Sequence, residues 1–166
     1  MSNKISTRIL KIENINWREL QFIQQDNFKD IPEAAKQKLK ASLVANNFIQ
    51  PFYVWESYGI TVRMVDGKHQ RMSPDVIYCL DGKHRTLLLK ELVAEGYSVP
   101  DELPAVFVEC RDKQDAAELV LLFSSMYAKV TQQGLYEFIT LNELDWNDLK
   151  STIDLPDFSE DRYEQK

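Results

Sequence analysis

The sequence is short of cysteine, of net positive charge and of unbroken apolar length, and each shortage removes a class of protein. Two cysteines, Cys79 and Cys110, stand among 166 residues, too few for a disulfide framework and without the paired spacing of a structural zinc site. Both fall in or at the end of apolar runs and read as buried strand residues of a chain kept in a reducing, cytoplasmic compartment. No apolar run approaches the roughly 18 residues of a membrane span, and Met1-Ser2-Asn3-Lys4 opens no signal-peptide core. The formal net charge is −6, whereas a domain that grips nucleic acid by its phosphates usually carries a basic surplus. Much of that acidity sits at the end of the chain, in Glu143, Asp145, Asp148, Asp154, Asp157, Glu160, Asp161 and Glu164. The remainder is close to neutral, so a local basic face is compatible with the composition, but strong DNA binding by this chain alone is not expected. His69 and His84 are the only histidines and have no carboxylate or cysteine partners at ligand spacing, so no metal site is expected from them.

What is present is a core. Hydrophobic residues make up 44% of the chain, enough to bury the interior of one domain of ordinary size. The expected organisation is one domain over residues 1–144 and an acidic tail over 145–166, partly helical or disordered. Ile9 to Ile15 reads as an edge strand, followed by an irregular loop around Trp17. Asp30 and Pro32 precede Glu33 to Asn46, whose Ala35, Leu39 and Leu43 fall on one helical face, with Asp30 as the expected cap. Phe52-Tyr53-Val54-Trp55, Ile60 to Val65 and Val76 to Leu80 are β-rich, the last two separated by a polar excursion. Leu87, Leu88, Leu89, Leu92 and Val93 recur at helical spacing before Gly96 stops the helix. Leu103 to Cys110 is another strand. Asp112 caps a helix over Asp115 to Tyr127 that looks buried on most sides, and Thr131 caps a last one over Gln132 to Leu144. The order β-α-β-β-β-α-β-α-α predicts an α+β fold, a small mixed sheet with helices packed on it.

One segment carries chemistry. Leu80-Asp81-Gly82-Lys83-His84-Arg85 runs from a buried strand through a glycine turn into a helix start. The first amides of a helix have no internal partners and carry the positive end of the helix dipole, so an anion is stabilised there. Gly82 permits close backbone approach, and Lys83, His84 and Arg85 supply cationic donors, Arg85 with a bidentate fork for phosphate. Asp81 is placed to cap the helix, to hold Arg85 or to hold a metal ion. A plain solvated turn has the same residues, since short motifs are weakly specific. Asp66-Gly67-Lys68-His69 repeats the first four residues of the motif, but Pro74 follows, so no long helix does, and this copy reads as a hairpin loop.

The turn, preceded by Phe48-Ile49-Gln50-Pro51-Phe52-Tyr53-Val54-Trp55 and followed by Leu103-Pro104-Ala105-Val106-Phe107-Val108, resembles the ParB/sulfiredoxin superfamily over roughly residues 9–140. More narrowly the chain is similar to ParB-like N-terminal domains associated with bacterial and phage DNA methylases. The residues behind that likeness are Ile15-Asn16-Trp17-Arg18-Glu19-Leu20, Asp26-Asn27-Phe28-Lys29, Leu121 to Leu135 and the acidic Asp154-Leu155-Pro156-Asp157-Phe158. The resemblance implies a ParB-like fold and a nucleotide or phosphate site made by Gly82, Lys83, His84 and Arg85 with Asp81 beside them. It also implies a nucleoside triphosphate with Mg²⁺ as ligand, and DNA or a DNA methylase as partner.

Activity varies across that superfamily: partition proteins bind and hydrolyse CTP, sulfiredoxins use ATP to repair a sulfinic acid, and other members are serine kinases or nucleases. Here Lys83 stands where sulfiredoxin needs its cysteine, which excludes that repair. His84-Arg85 replaces the two arginines of the partition proteins, and Ser124-Ser125-Met126-Tyr127 replaces their later Glu-Asn-x-x-Arg box, which argues against CTP hydrolysis. A helix-turn-helix DNA reader is not expected, and no D-P-P-Y motif is present for methyl transfer. The leading expectation is therefore a binding module in a DNA-related process. The alternative is an NTP-dependent hydrolase, nuclease or kinase with Asp81 as its catalytic carboxylate and Glu19, Asp26 and Asp30 in reserve.

Overall fold

The computed structural model describes residues 3–25, 28–58, 61–63, 69–71, 75–125 and 127–155, the two short central stretches by their backbone alone. The chain divides into two compact units. The first comprises Met1–Lys29 and Gln50–Ser125, the second Asp30–Ile49 and Met126–Lys166.

The first unit is built on a mixed five-stranded sheet. Its strands are β1 (Ile9–Asn16), β2 (Gln21–Phe22), β3 (Phe52–Ser57), β6 (Val76–Asp81) and β7 (Glu102–Val108), in the order β1-β7-β3-β6-β2. β1 lies antiparallel to β7, from Ile9 opposite Val108 to Asn16 opposite Glu102, and β3 lies parallel to β7 and antiparallel to β6. Alternation along the strands sends side chains to two faces. Trp55, Leu80, Val106 and Val108 form one core with Ala116 and Val120 of α3 (Lys113–Ser124). Phe52, Val54 and Cys79 are buried, as are Leu88, Leu89 and Leu92 of α2 (Lys83–Ala94). β4 (Thr61–Arg63) and β5 (His69–Arg71) pair with each other, not with the main sheet, Arg63 standing opposite His69. That pairing accords with the hairpin expected around Asp66-Gly67-Lys68, residues that themselves lie outside the described ones, as does Ile60.

Two-residue β2 escaped sequence reading because a period of two needs more than one repeat to register. It runs parallel to β6, Gln21 beside Tyr78 and Phe22 beside Cys79. The supposed irregular loop before it contains a 3₁₀ turn, Trp17–Glu19, capped by Asn16, whose side chain accepts from the Arg18 N–H. Trp17 is fully buried and its indole Nε1 donates to the Pro100 carbonyl at 2.8 Å.

α3 starts where expected, on an Asp112 side chain that accepts from the Asp115 N–H at 2.8 Å. It stops at Ser124, not Tyr127, because Ser124 and Ser125 turn their hydroxyls back to the Val120 and Leu121 carbonyls and Ser125 is extended. Nor is it buried on most sides: Leu121 and Leu122 are exposed. Cys110 lies just past the end of β7 and is half-buried, while Cys79 is a buried strand residue; both are free thiols.

The second unit contains α1 (Glu33–Asn46), α4 (Gln132–Leu141) and the short α5 (Trp146–Leu149). Asp30 does not cap α1. Pro32 holds the cap position, with no side-chain hydrogen bond, because the helix begins two residues later than Asp30 would require. Ala35, Leu39 and Leu43 are half-buried, and Asn47 ends the helix at φ 65°. Thr131 caps α4 by accepting from the Gly134 N–H at 3.0 Å. Leu135, Ile139 and Trp146 form this unit's core, with Leu149, Ile153 and Leu155 against it. The expected fraying past Ile153 falls largely on residues 156–166, outside the described ones.

Asp115 ties the start of the chain to α3. Its carboxylate accepts the Arg111 N–H at 3.0 Å and Arg8 Nη2 at 2.7 Å, with Arg111 Nη2 at 3.4 Å. Those hydrogen bonds, the Arg111 backbone first, hold the Asp115 carboxyl below its ordinary range. A carboxyl of about pKa 3.9 in the unfolded chain and lower in the folded one stabilises the fold above that unfolded value. The contribution disappears as pH falls through the folded value. Urea unfolding of wild type and Asp115→Asn at neutral pH and near pH 2 should show a clear stability gap at neutral pH that closes in acid. An equal gap at both pH values would refute this.

Candidate functional site

The turn out of β6 is shaped by Gly82. Its φ of 129° lies in the region that L side chains avoid, and a Cβ there would stand 2.5 Å from Phe52 Cδ1. Phe52 is fully buried, so the ring has nowhere to move. The need for glycine therefore comes from packing inside the turn as well as from any approach of a ligand. The Gly82 carbonyl takes the Thr86 N–H at 2.9 Å and the Thr86 hydroxyl at 3.0 Å, which locks the first turn of α2 to the strand end. No side chain caps α2, whose N-cap residue is Gly82 itself.

Asp81, Gly82, Lys83, His84 and Arg85 are thus brought together at one strand-to-helix junction, as expected, but they do different things. Lys83 and His84 are half-buried, and the Lys83 ammonium stands 5.6 Å over the ring of Phe22, supplied by β2. Arg85 turns inward. Its side chain is 11% exposed and its guanidinium lies 5.8 Å over the Phe52 ring. Nη1 donates to Gln50 Oε1 at 3.3 Å, and Nη2 to the Pro51 carbonyl at 3.1 Å and, at the limit of length, the Asp81 carbonyl at 3.5 Å. The Asp81 carboxylate is 3.8 Å from Nη2, so of the three roles open to it, holding Arg85 is the one realised. Arg85 Nε is buried and has no hydrogen-bond partner. A buried donor left unmade costs on the order of 1–3 kcal/mol, and such exceptions call for an explanation.

Gln50, Pro51, Phe52 and Phe22 are parts of the site that the sequence offered without a role. The Pro51-Phe52 pair stood in plain view ahead of a strand. Only the register shift in the β3–β6 pairing, between Tyr53 opposite Asp81 and Val54 opposite Cys79, puts its ring under Gly82.

Of the reserve carboxylates, Glu19 lines an open groove of about 580 Å³ with Glu13, Glu56 and Asp75. Because β2 runs parallel to β6, Glu19 falls near the start of β6, at the far end from Asp81. Asp26 lies outside the described residues, and Asp30 belongs to the second unit. Among the described residues no three His, Cys, Asp or Glu side chains gather as a metal set.

No family model matches the chain, and no curated protein matches it. A solved structure does: the C-terminally truncated chromosome-partitioning protein ParB from Caulobacter crescentus, complexed with CTP-gamma-S. The TM-score is 0.57 at 13% identity, over 86% of this chain and 70% of that one. The fold is ParB-like. The expected α+β architecture is therefore the observed one, and the likeness at this identity is one of fold. Among the described residues no helix is long and apolar enough to cross a membrane.

Beneath the turn, burial first and the Asp81 charge second push the Cys79 thiol up to about 12. Native protein treated with a thiol reagent at pH 8 should label Cys110 and spare Cys79 until denaturant is added. Rapid labelling of both would contradict the packing of β6. Gly82→Ala should destabilise the first unit by roughly 2–4 kcal/mol, from strained φ and overlap with Phe52. An unfolding free energy within about 0.5 kcal/mol of wild type would show that the turn relaxes freely.

Proposed function

We propose that the chain is a ParB-like nucleotide-binding module in a DNA-related process, holding phosphate at the Asp81–Arg85 turn. The observation that carries this reading is Arg85 Nε, a cationic N–H buried without a partner beside a helix N-terminus that no side chain caps. Phosphate oxygen is the acceptor chemistry that would satisfy it, and the α2 dipole and Lys83 would favour the same charge. The residues fit such a group: a turn closed by Gly82, an arginine already oriented by Gln50 and Pro51, and Lys83 and His84 next in line. The ParB-like fold supports the reading further, since the solved chain it matches carries CTP-gamma-S.

Binding ranks ahead of catalysis because Asp81, the turn's own carboxylate, is directed to Arg85. Mg²⁺ would enter on the nucleotide's phosphates, with Asp81 the protein group nearest in sequence to them. With a net charge of −6, DNA contact is assigned to a partner, of which a DNA methylase is the class the resemblance names.

Calorimetric titration with CTP, ATP, GTP and ADP, with and without Mg²⁺, tests the proposal. Saturable binding is expected, weakened roughly 10–100-fold by Lys83→Ala or Arg85→Ala, the value of one to two charge-assisted hydrogen bonds. Since Arg85 is packed, circular dichroism must show Arg85→Ala folded, and Lys83→Ala, at a half-buried position, serves as the second arm. No heat with any nucleotide at millimolar concentration would sink the nucleotide reading. Phosphate release by wild type that Asp81→Ala abolishes would move the protein to the enzyme class.

A further inference from the structure

β1 is an edge strand, and among the described residues it pairs with β7 alone. Edge strands leave alternate N–H and C=O groups unmade and are normally shortened, covered or charged against pairing. This one is eight residues long and contains no proline. It also leaves apolar side chains in water: Ile9, Leu10 and Ile12 are 49%, 61% and 67% exposed. Its regular part begins at Lys11, after the shift in register between Ile9 and Lys11.

We propose that this edge is a two-fold interface between two copies of the chain, their β1 strands pairing antiparallel about Ile12. Charge picks out the occupant and the register. With Ile12 opposite its own copy, Lys11 of each strand faces Glu13 of the other, and Leu10 faces Asn14. Lys11 and Glu13 share one face of β1, where they already pair within the strand at 3.3 Å. Two-fold pairing extends that contact into a square of alternating charges. Ile12, on the opposite face of the strand, meets Ile12 of the second copy across the axis, which removes the most exposed of the three apolar side chains from water. Shifting the partner strand by two residues in either direction sets Glu13 against Glu13 or Lys11 against Lys11, which opposes those registers. The result is one continuous sheet through both copies.

Sedimentation velocity of the 166-residue chain across roughly 1–100 µM should show a monomer–dimer equilibrium. Ile12→Lys, which places two ammonium groups at the axis, should abolish it. Lys11→Glu and Glu13→Lys should each weaken association at least about tenfold, by setting like charges face to face. Mixed in equal amounts, these two variants should recover a heterodimer, because each then presents to the other the charge its own copy repels. A monomeric wild type throughout the range overturns the proposal. So does a dimer indifferent to Ile12→Lys, or a mixture of the two charge variants that stays monomeric.

Discussion

Phe52 lies with the edge of its ring against the Gly82 backbone, and the junction between β6 and α2 is built around that contact. The ring occupies the volume in which any side chain at position 82 would sit, so the backbone can take φ 129° and send α2 away from the strand. The same ring is the floor on which the Arg85 guanidinium rests, and the segment that delivers it, Gln50-Pro51, supplies two of the guanidinium's acceptors. Burying Phe52 is worth on the order of 2–3 kcal/mol. Its further consequence is that the arginine's orientation is settled before any ligand arrives, which lowers the ordering cost of binding one.

The sheet order explains how so short a β2 can matter. β6 has β3 on one side and only Gln21–Phe22 on the other, yet Phe22 falls beside Cys79, the third residue back from Gly82. It thereby supplies an aromatic surface under Lys83. The turn is flanked on both sides by phenylalanines, Phe22 under Lys83 and Phe52 under Arg85. An ammonium over a ring remains a charge that water and anions can reach, whereas a guanidinium pressed into the interior has lost most of its solvent. In the proposed phosphate site Lys83 would attract the anion and Arg85 would fix it.

How much of this was legible beforehand depended on the range of the interaction concerned. Asp112 and Thr131 cap their helices as expected because a cap is decided within four residues. The strands Phe52–Ser57 and Val76–Asp81 announced themselves by β-branched and aromatic content, and the Asp81–Arg85 cluster by the order of its residues. Asp30 failed as a cap although its residue type was right, since nothing local says where a helix starts after Pro32. The exposure of Leu121 and Leu122 was hidden because an apolar helix reads the same whether or not something covers all of it. Arg85's inward course depends on Phe52 and Gln50, some thirty-five positions away in the chain, and no periodicity reports a pairing at that distance.

The edge of β1 and the Asp81–Arg85 turn belong to one sheet but not to one place in it. Three strand spacings separate β1 from β6, roughly 14 Å at about 4.8 Å each, with β7 and β3 between them. Antiparallel pairing across β1 puts seven such spacings, about 34 Å, between the β6 strands of the two copies. The turn is made of residues from β2, β3, β6 and α2 with Gln50 and Pro51 just ahead of β3, and takes nothing from β1, so the second copy contributes no group to it. At that separation screening at physiological salt leaves little direct interaction between two bound anions. Nucleotide affinity and self-association should therefore be close to additive, each insensitive to substitutions that abolish the other. Strong coupling between them would mean that the sheet itself changes shape when the turn is filled.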